Sequence, residues 1–308
     1  NRGAAYRYAR EGTSVRARLW IFLAAATAAA SMAAIGQIGG ESEQTAREPL
    51  RFQAPQTDYS YEDSSFVKSY SGGVKAWQED VRLSAEDAVY LSGVQEARFY
   101  GNATLNDSIR EVRADTLVYY YTRRQAEAVG GVVVTEKRRL FRSGRVTYLK
   151  DLRLIVAEGG VYVRDDSVRS TITGMRAVFN DSTGIGVITG YPTMIREDEE
   201  GSIIRITCDD TLEVIRDKRI VRLWDNVVVS RDSTRITSKR AVYDDSTEVV
   251  SLFGEPRADH VFSHEPDDST STVRTVSVVS GDSMWVFLHD RQITGVDVVG
   301  SARNTTVS

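Results

Sequence analysis

The chain has 308 residues, of which 41% are apolar and 27% charged. That is ordinary for a folded domain, and a net charge of −4 gives no basic face for a nucleic acid. The single cysteine, Cys208, excludes an internal disulfide and a thiolate metal cluster, and it reads as a small buried residue at a strand edge.

The N-terminal segment, residues 1–40, differs from the rest. Arg2, Arg7, Arg10, Arg16 and Arg18 precede the uncharged run LWIFLAAATAAASMAAIGQI at residues 19–38. Basic, then apolar, then small residues is the order of a secretory signal. The run is also about 20 residues long, the length of a bilayer span. A cleaved signal and a hydrophobic helix kept as an inner-membrane anchor both stay open. Either one exports the chain beyond residue 40, with the Arg-rich end left in the cytoplasm. Residues 41–57 show no periodicity and read as a linker.

From residue 58 to 308 the chain repeats itself. An aromatic or apolar column runs Tyr61, Tyr90, Tyr119, Tyr148, Phe179, Val214, Tyr243. Eleven residues after each comes a second column: Gly72, Gly101, Gly130, Gly159, Gly190, Asp225, Gly254. Units are mostly 29 residues long. An eighth, looser copy comes after an insertion near residues 257–280: Met284-Trp285-Val286, then Gly300. Fixed offsets of this kind mark a repeat architecture.

Apolar residues alternate with polar ones on either side of each second-column position. This inward phase holds Phe99, Ala103, Leu105, Ala128, Val132, Val134, Ala157, Val161, Val163, Ile188, Met194, Leu223, Val227 and Val229. A period of two is a half-buried strand. Turn signals fall between: Asn106-Asp107, Asp165-Asp166, Asn180-Asp181-Ser182 and Asp244-Asp245-Ser246. No helical stripe occurs after residue 40. Eight units of two strands predict an all-β fold of about sixteen strands. A two-stranded unit cannot bury its face alone, so neighbours must stack and keep one side apolar.

No catalytic motif stands out, and no cofactor is implied. The sequence reads as a non-enzyme. His260, His264, Glu265, Asp267 and Asp268 lack a placed third strong ligand and read as a solvated loop. The run Arg196–Gly201, REDEEG, reads as a charged hairpin tip. Ser280-Gly281-Asp282-Ser283 has no strand-to-helix elbow. Gly184-Ile185-Gly186 leads into no helix. The tyrosines Tyr90, Tyr119, Tyr148 and Tyr243 of the first column read as core in preference to a sugar-stacking platform.

The unit ADTLVYYYTRRQAEAVGGVVV, with GRVTYLK…GGVYV, DDTLEVI…DNVVV and KRAVYDD…GEPRA, resembles the repeat of the OstA-like (organic solvent tolerance) family. That family includes LptA, LptC and the N-terminal domain of LptD, the periplasmic part of lipopolysaccharide export. The resemblance covers about residues 58–308. It implies a twisted β-jelly-roll whose apolar groove shields the acyl chains of lipid A during transport to the outer membrane. It also implies a periplasmic location and open edge strands that join Lpt-type proteins head to tail. The bridge so formed would link an inner-membrane ABC transporter to an outer-membrane translocon. No catalytic residue is carried over. Asp225 in place of glycine and the insertion near 257–280 depart from the family pattern. Two other readings stay open: a parallel β-helix adhesin or polysaccharide-processing protein, and the soluble N-terminal part of an LptD-like assembly protein.

Overall fold

The computed structural model describes residues 6–7 and 50–307, apart from 63–64, 79–80, 107–109, 121–124, 150, 168, 181, 198–200, 265–272 and 290–291. The apolar run 19–38 lies outside the described residues. Among those described, no helix is long and apolar enough to cross a membrane.

The protein is all-β and antiparallel. Its 25 strands among the described residues are sixteen passes of chain plus the two-residue strand Tyr6–Arg7. Eight passes are single strands of 11 or 12 residues: Glu96–Asn106, Arg110–Tyr120, Gln125–Glu136, Arg139–Leu149, Leu154–Asp165, Ser170–Asn180, Ile220–Arg231 and Thr234–Asp244. The other eight break in the middle, as between Val249–Phe253 and Arg257–His264 at Glu255-Pro256. Proline removes a ladder donor, which accounts for a break there. The sixteen expected strands are therefore the sixteen passes. Hairpins join successive passes, and each described pairing is antiparallel. A parallel β-helix is excluded by that pairing.

Every pass bends at its centre, and the second column of the repeat sits at the bend. Gly72, Gly101, Gly130, Gly159, Gly190, Asp225 and Gly254 have φ of +81°, +74°, +81°, +81°, +79°, +64° and +79°. The residue after each, from Gly73 to Glu255, also has positive φ. Two successive left-handed residues favour glycine. Asp225-Asn226 is the one of these seven corners without a glycine, and its side chains are of the short polar kind that tolerates this region best. There Asn226 Nδ2 donates to Asp209 Oδ2 across the corner at 2.6 Å.

The corner is a β-bulge of two residues against one. Tyr100 pairs with Thr116 and Ala103 with Ala114, leaving Gly101-Asn102 opposite Asp115. Trp224 pairs with Arg240 and Val227 with Ser238, leaving Asp225-Asn226 opposite Lys239. The two-residue side keeps its inward parity: Phe99, then Ala103 and Leu105. The one-residue side loses it: Val112 and Ala114 point inward, then Leu117.

The chain divides into two compact units. The N-terminal unit holds residues 28–167 and 173–186. In it Phe52 stacks on Tyr70 at 4.5 Å and on Phe99 at 5.9 Å between ring centres. Phe52 precedes its corner and Phe99 precedes Gly101 on a pass running the other way. The two halves of the bent passes therefore face each other as layers. Phe99, Phe141, Ile155 and Phe179 are almost fully buried between them, each contributing about 1.5–3 kcal/mol by area. The C-terminal unit holds residues 1–27, 168–172 and 187–308. Its interior is filled by Met194, Ile204, Ile206, Leu212 and Leu223.

Several expectations are corrected. Part of the stretch read as linker belongs to the sheet: Arg51–Gln53 pairs with Val74–Gln78, and Gln56–Glu62 with Ser65–Ser71. The insertion near 257–280 is not outside the pattern, since Arg257–His264 and Val273–Ser280 form a hairpin that continues the ladder. His260 thus lies in a strand and not in a loop, its Nδ1 2.8 Å from Thr234 Oγ1. Arg196 shares the inward phase of Met194 and is buried, not an exposed tip. Of the four column tyrosines read as core, Tyr148 and Tyr243 are buried, whereas Tyr90 and Tyr119 are only half-buried.

The turns form as their residues dictate. Asn180 Oδ1 accepts from the backbone of Ser182 and Thr183 at 3.0 and 3.1 Å. Asp244 Oδ1 does the same for Ser246 at 2.9 Å. Asp165 is buried yet charged. Burial pushes its pKa up, but bonds from Ser167 and Arg139 outweigh it and hold the carboxyl below its ordinary value. Arg139→Ala is expected to cost roughly 2 kcal/mol by removing a charged hydrogen bond. The loss is full above about pH 4 and shrinks as the carboxyl protonates below it, since a lowered folded pKa stabilises only above the unfolded one. Denaturant titrations of both forms at pH 7 and pH 3 check this.

Candidate apolar binding site

All fourteen inward residues read from the sequence are buried, from Phe99 and Ala103 to Val227 and Val229. Three of them, Phe99, Leu105 and Ala128, line a narrow cavity of about 70 Å³ in the N-terminal unit. Val112, Leu117 and Val146 from the return strands share that wall. The other eleven are buried and do not line it.

The larger cavity, about 690 Å³, lies in the C-terminal unit. Register explains how it is built. In one layer Ile236 pairs with Ala258, Ala258 with Val279, and Val279 with Asn304, a row across four strands. In the other layer Val286 pairs with Val296, and Met284 with Val298. Both rows line the cavity. Earlier in the unit Met194, Ile204 and Leu223 fill the interior. Here Ala258, Val279 and Val296 are shorter and leave space between the layers. Its size falls in the roughly 300–1,000 Å³ range of small-molecule sites, and its walls are mostly apolar as such sites are.

Polar residues also line the cavity. Arg303 and Asn304 are exposed and touch the cavity, with Ser277 and Thr234 along one wall. The sequence reading did not reach this site. Its signal was present in Met284-Trp285-Val286 and in the alternation of Val296 and Val298, but the insertion hid the facing row.

Other candidates resolve as structure. Cys208 is buried, and burial pushes its thiol up to about 12. The thiol donates to the Thr211 carbonyl at 3.3 Å. Ser280-Gly281-Asp282-Ser283 forms a corner, with the Gly281 amide donating to the Pro256 carbonyl at 3.2 Å and that of Asp282 to Val299 at 3.0 Å. Ile185–Thr189 is a strand. Among the described residues no group of His, Cys, Asp and Glu is placed to hold a metal.

No family model matches the chain, and no curated protein matches it. Among solved structures it is similar to LptH, the LptA homologous periplasmic component of the lipopolysaccharide transport device from Pseudomonas aeruginosa. That likeness has a TM-score of 0.32 and 16% identity, and it covers 36% of this chain and 83% of LptH.

Proposed function

We propose that the protein is a periplasmic lipid-binding bridge component that shields lipopolysaccharide acyl chains in its apolar interior on the way to the outer membrane. The observation that supports this most is the cavity of about 690 Å³ between two facing apolar rows. Acyl chains offer no directional contacts, so burial supplies the affinity, about 25 cal/mol per Å² of apolar area. The fourteen inward residues, Phe99 to Val163 in the N-terminal unit and Ile188 to Val229 in the C-terminal unit, are assigned to the lipid groove as well. The reading involves no catalytic step.

The bridge reading sets the partners. They are lipid A, other Lpt-type proteins joined by edge-strand pairing, an inner-membrane ABC transporter and an outer-membrane translocon. The strand Gln56–Glu62 carries exposed Tyr59 and Tyr61 and suits such an edge. Residues 19–38 supply export, as a signal or an inner-membrane anchor.

Titration of the purified chain with fluorescent lipopolysaccharide tests the reading. Val279→Trp fills the cavity and is expected to weaken binding by at least about tenfold, a loss of about 1.4 kcal/mol, while the fold is retained. Unchanged binding in a folded variant would remove the cavity from the account.

A further inference from the structure

The outer face of the N-terminal unit carries a trough that the lipid reading does not use. Val74 and Ala76 are buried and face the interior, so strand alternation turns Lys75 and Trp77 outward. Their cross-strand partners share that parity. One outward row is Arg51, Trp77, Arg82 and Asn106, across four strands. The next is Gln53, Lys75, Ser84 and Thr104 on the same strands. The first row has long side chains. The second is short at Ser84 and Thr104, whose hydroxyls bond to each other at 2.6 Å. Beyond it lies the corner, where Asn102 Nδ2 donates to Glu86 Oε1 at 2.7 Å. The trough is thus floored by hydroxyls, with Trp77 and Arg82 on one side and Glu86 and Asn102 on the other. It holds two clefts of about 300 and 450 Å³ that share Lys75 and Ser84.

We infer that this outer trough binds an oligosaccharide, one ring against Trp77 and the chain running across the strands. The trough faces away from the interior, so its ligand is independent of the lipid reading. A pyranose has an apolar C–H face and a rim of hydroxyls that donate and accept at once. Trp77 is half-buried and offers a large rigid apolar surface for the C–H face. The rim meets groups of its own double kind, the amides of Gln53 and Asn106 and the hydroxyls of Ser84 and Thr104. Those two hydroxyls spend one proton on each other, which leaves one donor and spare lone pairs for a ligand. Lys75 and Arg82 add charged donors to sugar oxygens. Four strands about 4.8 Å apart make the trough about 14 Å long, room for a short oligosaccharide. An acyl chain would find a polar floor here, and a net charge of −4 gives no basic field for a nucleic acid.

The test probes an array of lipid-free oligosaccharides with the full chain, then titrates a bound glycan in solution by calorimetry. Binding to a set of related glycans is expected. Trp77→Ala should weaken it at least about tenfold, the loss of an aromatic anchor, and Trp77→Phe should weaken it less because a ring remains. Trp77 points away from the core, so thermal unfolding should show that Trp77→Ala keeps its fold. Thr104→Val changes little in shape and removes one floor hydroxyl, so it should weaken binding about fivefold and gives a second reading should Trp77→Ala misfold. Val279→Trp fills the cavity of the C-terminal unit and should leave glycan binding unchanged, which keeps the two sites separable. No binding of any glycan to folded protein, or an affinity that survives both Trp77→Ala and Thr104→Val, would overturn the saccharide site while leaving the lipid reading to its own titration.

Discussion

Gly130→Val is expected to destabilise the N-terminal unit by roughly 3 kcal/mol, lowering its Tm by about 6–10 °C. Two causes add. A β-branched residue at φ +81° is strained. A Cβ built there would also lie 2.8 Å from the Cβ of Asp115 on the facing corner, closer than two carbons can approach. The next residue provides the control. Gly131 has φ +51° and nothing within 4 Å of a built Cβ. Gly131→Asn should therefore cost less than about 1 kcal/mol, because Asn tolerates the left-handed region and the space is open. Thermal unfolding of the two variants checks the difference. Equal shifts would mean that the corner does not need glycine at that column, and the physical reason for the repeat would fail.

Phe99→Ala should cost about 3–5 kcal/mol, the range for emptying a buried aromatic site. Phe99 is 1% exposed, stacks on Phe52 across the layers and lines the narrow N-terminal cavity. Phe52→Ala should cost less, since Phe52 is only half-buried and its site is open to water after truncation. Denaturant midpoints with unchanged slopes would show that both act on the folded state. A smaller loss at Phe99 than at Phe52 would contradict the assignment of the core to the interface between layers.

The repeat made much of this legible. Tyr119 and Gly130 keep their spacing because a bent pass and its return form one structural unit of about 29 residues. The sixteen expected strands are the sixteen passes. The outgoing passes were readable because a two-residue corner leaves parity intact, so Phe99, Ala103 and Leu105 alternate without a slip. The return passes were not. With one residue at the corner, parity breaks at Asp115 and Gly144, and a period of two finds only half of each strand. Val112, Leu117, Phe141, Val146 and Ile172 were missed for that reason, although they are as buried as the residues that were found.

The binding cavity was hidden by a different cause. Ile236, Ala258, Val279 and Asn304 are far apart in sequence, and only pairing across four strands makes them a row. The insertion near 257–280 contains two of the four. Composition gave it the look of a loop, with His260 and a cluster of acids, while the ladder made its ends into strands. Arg196 misled in a similar way: its charge suggests a tip, yet its parity with Met194 sends it inward. Charge is a weaker guide than phase once a strand has begun.

Site-specific photo-crosslinking in cells, with the probe at Val296 in the cavity wall and at Val299 on the exposed face, tests the central claim most directly. The account predicts a lipopolysaccharide adduct at Val296 and none at Val299. Adducts at neither position, or at both alike, in a folded and exported protein would contradict the assignment of this interior to lipid.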